Sequence, residues 1–183
     1  MRKFWKFFLK ILGWDTNVFF PENVTKAVIV VGPHTSSWDF IIGLAYRSIM
    51  KIEAAKFLGK KELFKPPFGW LFYWLGGTPV DRFSKKNVVE QVVDKFNSNS
   101  NFLLALSPEG TRKKVEALKT GFYFIAKQAN VPIVMTGFDF KNKTLKVSSP
   151  FFTTNNMEED LEKVLIFFRG LEGKDKSKDL RHL

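Results

Sequence analysis

An α/β fold with a mostly parallel central sheet flanked by helices, led by an N-terminal amphipathic helix, is what this sequence predicts. Three observations carry it. The runs Lys26 to Val31 (KAVIVV) and Asn101 to Leu106 (NFLLAL) are almost continuously apolar, as strands covered on both faces are. Between them Val88, Val89, Val92, Val93 and Phe96 recur at the spacing of a one-sided helix. Strand and helix then alternate along the chain, which favours parallel strands joined by crossover helices. The 183 residues correspond to a single domain at about 150 residues per domain.

The elements follow in order. Residues 1–14 read as a helix and Trp14 to Asn23 as a loop, and the first strand stops at Gly32-Pro33. Ser36 or Ser37 opens a helix that runs to about Met50, and Glu53 to Leu58 is the next strand. Pro66 to Leu75 forms a short aromatic helix, followed by Gly76-Gly77 and a strand from Thr78 to Val80. After the valine-rich helix and the strand NFLLAL, Leu118, Phe122, Ile125 and Ala129 mark a helix and Val131 to Thr136 a strand. Asp139 to Val147 reads as a hairpin around Lys141-Asn142-Lys143, and Met157, Leu161, Val164, Leu165 and Phe168 make the last helix. Beyond Gly170 the chain is polar and charged, and a frayed tail is expected.

Composition narrows the chemistry. Cysteine is absent, which excludes disulfides, thiolate metal sites and cysteine nucleophiles and fits a reducing compartment. The two histidines, His34 and His182, are too few for a histidine-rich metal centre, and no metal is expected. Twenty-nine Lys and Arg against 18 Asp and Glu give a net charge of +11, and 16% of the residues are aromatic. A phosphate-bearing partner suits that balance, whether an anionic membrane surface or a nucleic acid. No zinc-finger spacing or aromatic RNA-binding motif is present, so a nucleic-acid reading has only charge behind it.

No apolar stretch approaches the roughly 20 residues of a membrane span. The opening MRKFWKFFLKILGW instead interleaves Arg2, Lys3, Lys6 and Lys10 with aromatic and aliphatic residues, the pattern of an interfacial helix. Phe4, Phe8, Ile11 and Leu12 share one stripe, which faces either lipid or the protein's own core. Lys6 and Lys10 interrupt the apolar core that a secretory signal needs, so the segment is expected to be retained.

Three junctions concentrate reactive side chains where strands give way to helices, the places where ligands gather in open α/β sheets. In GPHTSSWDF, His34 follows a strand and Asp39 lies five positions on, so a loop and one helical turn can return the carboxylate to the imidazole. Ser36-Ser37-Trp38-Asp39 also matches a capping box, which gives Asp39 a purely structural alternative. In GGTPVDR, Arg82 follows a short strand, either to grip a phosphate or to pair with a nearby acid such as Asp81. In SPEGTR, Pro108 and Gly110 suit a tight turn; alternatively Gly110 admits a ligand against the backbone, Glu109 accepts a substrate hydroxyl and Arg112 adds charge.

GPHTSSWD, GGTPVDR, SPEGTR and VPIV stand in the order of the four motifs of the glycerolipid acyltransferases, and the chain resembles a small member of the 1-acylglycerol-3-phosphate acyltransferase family over about residues 26–136. The resemblance implies transfer of a fatty acyl group from coenzyme A or acyl carrier protein, as co-substrate and without a cofactor, to a lysophospholipid-like acceptor. It makes His34 the general base and Asp39 its orienting partner. Arg82 matches the phosphate-binding arginine, Glu109, Gly110, Thr111 and Arg112 match the acceptor-binding loop, and Lys61 stands where a lysine often lies near the phosphate. Ser107 and Met135 depart from the motifs without removing a catalytic group. The expected organisation is an amphipathic membrane-surface helix over residues 1–14, an acyltransferase domain over 15–170 and a polar tail over 171–183, on the cytoplasmic face of a membrane. The aromatic run 68–75 reads either as core or as the rim of a site open to the bilayer. Acyl transfer to another lyso-lipid, a hydroxyacyl amino-acid lipid among them, is the nearest alternative; a non-catalytic basic binding protein is the more distant one.

Overall fold

A computed structural model describes residues 1–81 and 86–183 of the chain. Its elements are α1 (Arg2–Ile11), β1 (Lys26–Gly32), α2 (Trp38–Ile49), β2 (Ala55–Lys60), α3 (Gly69–Trp74), β3 (Gly77–Val80), α4 (Val88–Ser98), β4 (Phe102–Leu106), α5 (Gly121–Ala129), β5 (Ile133–Asp139), β6 (Thr144–Val147) and α6 (Met157–Arg169). One six-stranded sheet has the order β3-β2-β4-β1-β5-β6, parallel throughout except for the final antiparallel pair. The predicted fold class is the one observed. β5 and β6 form the hairpin read around Lys141-Asn142-Lys143, with Asp139 opposite Thr144.

The central strands are buried on both faces because helices cover both. Val28, Val30, Leu104 and Ile133 pack against Val92 and Phe96 of α4, Phe122 and Ile125 of α5, and Val164 and Phe168 of α6. On the opposite face Ile42, Ala45, Tyr46 and Ile49 of α2 meet Leu9 of α1, Trp14 and Phe138. With Ala27 to Val30 all under a few per cent exposed, β1 has no solvent side, which is why its sequence does not alternate.

Three expectations are revised. The apolar stripe of α1 splits: Phe8 and Leu12 pack inward beside buried Leu9, whereas Phe4, Phe7 and Ile11 face out. The aromatic run is not core either. Phe68, Trp70, Tyr73 and Trp74 are all more than half exposed, because α3 lies at the outer end of the sheet beside the edge strand β3, where Phe64 packs on Phe72 and Tyr73. The tail after Gly170 does not fray: Leu171 and Leu180 are fully buried and join the α4, α5 and α6 side of the core.

Parallel strands present their carboxyl ends on one edge of the sheet. The loops that follow β1, β4, β2 and β3 carry His34, Glu109 to Arg112, Lys61 and Asp81 respectively, so the three motif junctions share that edge.

Candidate active site

β1 ends at Gly32, and the loop through Pro33 to Ser37 turns the chain into α2. His34 stands in that loop with 29% of its side chain exposed, and its Nδ1 lies 3.3 Å from Oδ2 of Asp39, which is itself buried. The same oxygen accepts hydrogen bonds from the backbone N–H of Thr35 at 2.8 Å and of Ser36 at 2.7 Å. One oxygen therefore serves both the pairing with His34 and the acid's half of the capping box, its bond from the Ser36 N–H, while the N-cap residue Ser37 makes no side-chain cap. Asp39 Oδ1 is buried and has no hydrogen-bond partner among the described residues.

The loop after β4 comes up beside this pair. Gly110 N–H donates to Ser107 C=O at 3.2 Å, closing the expected turn, and Gly110 adopts φ +64, a left-handed conformation that favours glycine. Glu109 points inward, not toward an acceptor. It is fully buried, and Oε1 and Oε2 accept from the His34 backbone N–H at 2.8 and 3.0 Å. Its expected contact with a substrate hydroxyl is replaced by one with the loop that carries His34, because the carboxylate lies beneath that loop. Burial raises its pKa from the ordinary 4.5 to about 7, against the lowering effect of the His34 amide and ring; Asp39 and Asp179 raise it further.

Arg112 is exposed, and its guanidinium donates to the hydroxyl of Ser37 at the start of α2. His34, Ser107, Gly110, Thr111 and Arg112 line one end of a crevice of about 650 Å³. From there it runs between α2 and the sheet, over Ile29, Phe57 and Ala105, to Arg47, Met50 and Leu75. Asp39 to Arg47 spans about 12 Å of α2 at 1.5 Å per residue, and apolar side chains dominate that length.

Lys61 lies farther along the sheet edge. Its ammonium pairs with Asp81 Oδ2 at 2.9 Å, and that hydrogen bond and charge raise its pKa. Arg82, the remaining candidate, lies outside the described residues. Two further cations went unread in the sequence. Lys119 Nζ lies over the turn, where a Cβ on Gly110 would come within 2.7 Å of it. Arg47, at the other end of the crevice, donates to Leu75 C=O at 3.1 Å and Glu53 C=O at 2.6 Å. Neither belongs to a recognisable motif, and a lone cation on a helix or ahead of one is most often solvated.

Comparison with known proteins bears on the fold and the family. No curated protein matches the chain. Among solved structures it is similar to the crystal structure of the 1-acyl-sn-glycerophosphate (LPA) acyltransferase PlsC from Thermotoga maritima. The TM-score is 0.62 at 21% identity, over 91% of this chain and 74% of that one, a likeness of fold. The model of the acyltransferase family matches residues 15–138, which include both loops of the candidate site. The chain belongs to the acyltransferase family.

Proposed function

We propose that the chain transfers a fatty acyl group from a thioester of coenzyme A or acyl carrier protein to the hydroxyl of a lysophospholipid-like acceptor, with 1-acylglycerol-3-phosphate as the default. The observation that carries this is His34 beside a buried Asp39 at one end of a long, largely apolar crevice. The acceptor hydroxyl gives its proton to the free Nε2 of His34 as its oxygen attacks the thioester carbonyl. The tetrahedral intermediate collapses, the C–S bond breaks, and the departing sulfur takes the proton back from His34. Asp39 holds the ring in the tautomer that leaves Nε2 open and stabilises the transient imidazolium, a role that contributes about 10²–10⁴-fold with the base itself.

Arg112 is proposed to hold the acceptor phosphate, aided by Lys61 and, on the family resemblance, by Arg82; Gly110 and Thr111 shape the acceptor's approach. Glu109 is proposed to position His34 from below. An anionic membrane surface on the cytoplasmic side is the proposed location. Exposed Phe4, Phe7 and Ile11 between Lys3, Lys6 and Lys10 support it, as does the exposed aromatic face of α3, whose neighbour Leu75 lines the crevice. No helix among the described residues is long and apolar enough to cross a membrane.

The test is purified protein with a labelled acyl thioester and a panel of lyso-lipids, read by mass spectrometry. His34→Ala is expected to abolish transfer while leaving the circular dichroism spectrum unchanged; full turnover in that variant would refute the assignment.

A further inference from the structure

We propose that residues 171–182 form a clasp that positions the His34–Asp39 pair, an inference that rests on the acyl-transfer reading of that pair. The segment is held at both ends by Leu171 and Leu180, which are buried in the core. Between these anchors it runs directly over the loop that follows β1. A Cβ on Gly173 would lie 2.8 Å from Thr35 Cγ2 and 3.1 Å from its Oγ1, a fit that a larger residue disturbs. The next two residues bracket the same loop. Lys174 Nζ stands 4.6 Å from the centroid of the Trp38 ring, and Asp175 N–H donates to Thr35 Oγ1 at 3.2 Å.

Thr35 is the link to the chemistry. It is buried, and its N–H donates to Asp39 Oδ2, the oxygen that faces His34. Whatever moves Thr35 therefore moves one of the two backbone donors to the carboxylate. The clasp also reaches the second loop. His182 Nδ1 lies 2.8 Å from Asp179 C=O and Nε2 lies 2.7 Å from Val115 C=O, three residues beyond Arg112. One segment thus contacts the loop of the proposed base and the segment continuing from the proposed phosphate site. Thr35 and Gly173 are positioning residues: each acts through the geometry of Asp39 and neither touches substrate.

Three variants test this. Gly173→Ala drives a methyl into Thr35; Thr35→Val keeps the side-chain shape and removes the acceptor for Asp175 N–H; Thr35→Ser keeps that acceptor. The clasp predicts that the first two lower kcat about 10- to 100-fold, as small misplacements of a catalytic group do. KM for donor and acceptor should stay within about twofold, and Thr35→Ser should recover most of the rate. A second measurement needs no turnover: ¹⁵N NMR of the His34 ring at alkaline pH should show one tautomer in the wild type and a mixture in Gly173→Ala and Thr35→Val. Unchanged kcat per folded molecule together with an unchanged tautomer would overturn the clasp. If Gly173→Ala fails to fold, Thr35→Val decides. A wild-type protein that transfers no acyl group, with the tautomer mixture still appearing in the two variants, would sink the acyl-transfer reading and leave the clasp standing.

Discussion

Glu109→Gln should make the protein more stable relative to wild type as pH rises, the reverse of what removing a structural carboxylate usually does. The wild-type carboxyl has its pKa raised from 4.5 to about 7 by burial, so between those values the folded state holds a proton that the unfolded state has released. The stabilisation is complete below pH 4.5 and is lost as pH climbs through 7. At about 1.36 kcal/mol per pK unit, that loss totals about 3 kcal/mol across the interval. Glutamine is close in shape, still offers a carbonyl oxygen to the His34 amide and does not ionise, so its stability lacks this slope. Urea unfolding of both proteins, followed by tryptophan fluorescence from about pH 4.5 to about pH 8, isolates the effect, because titrations elsewhere cancel in the difference. The variant's relative stability should rise by about 3 kcal/mol over that range. A flat difference, or one sloping the other way, would show that Glu109 is ionised in the folded protein and that the burial argument is wrong.

Other outcomes follow from the same geometry. Asp39→Asn keeps a carbonyl oxygen for the Thr35 and Ser36 amides but removes the charge facing His34, so kcat should fall by about 10²-fold or more with the fold intact. A near-normal kcat would remove Asp39 from the chemistry. Arg112→Ala should raise KM for a phosphate-bearing acceptor with kcat little changed, and unaltered KM in a steady-state acceptor titration would count against the phosphate assignment. Replacing exposed Phe4 and Phe7 together by serine should weaken co-sedimentation with anionic vesicles more than tenfold, at roughly 1.5–3 kcal/mol for each ring that enters lipid. Binding that survives the change would show that α1 does not hold the membrane.

Legibility in the sequence tracks how local each feature's cause is. KAVIVV and NFLLAL could be read as β1 and β4 because a strand covered on both faces must be apolar throughout, and α4 because its valines recur on one side. The two loops of the candidate site were legible because each sits directly after such a strand. The tail was not: its anchors Leu171 and Leu180 are nine residues apart among charged neighbours, and only the finished core offers them a place. Aromatics default to the interior, yet α3 lies beside edge strand β3 with much of its aromatic face exposed, a consequence of strand order that no local pattern encodes. The inward turn of Glu109 depends on an amide 75 residues away in the chain.

Asp39 shows why two readings of one motif need not compete. A carboxylate near a helix N-terminus is stabilised by the backbone N–H groups it accepts from and by the helix dipole, and charge-assisted bonds of that kind are roughly twice as strong as neutral ones. In this chain both bonds fall on Oδ2, at 2.7 and 2.8 Å, and both donors, Thr35 and Ser36, lie in the loop ahead of α2, so the carboxylate pins that loop to the helix that carries Asp39. The imidazole 3.3 Å away is then aligned against an anion whose position the helix has already set. The same carboxylate thus holds the loop and orients the base, because Asp39, second residue of α2, is reached as soon as the loop from His34 has turned into the helix.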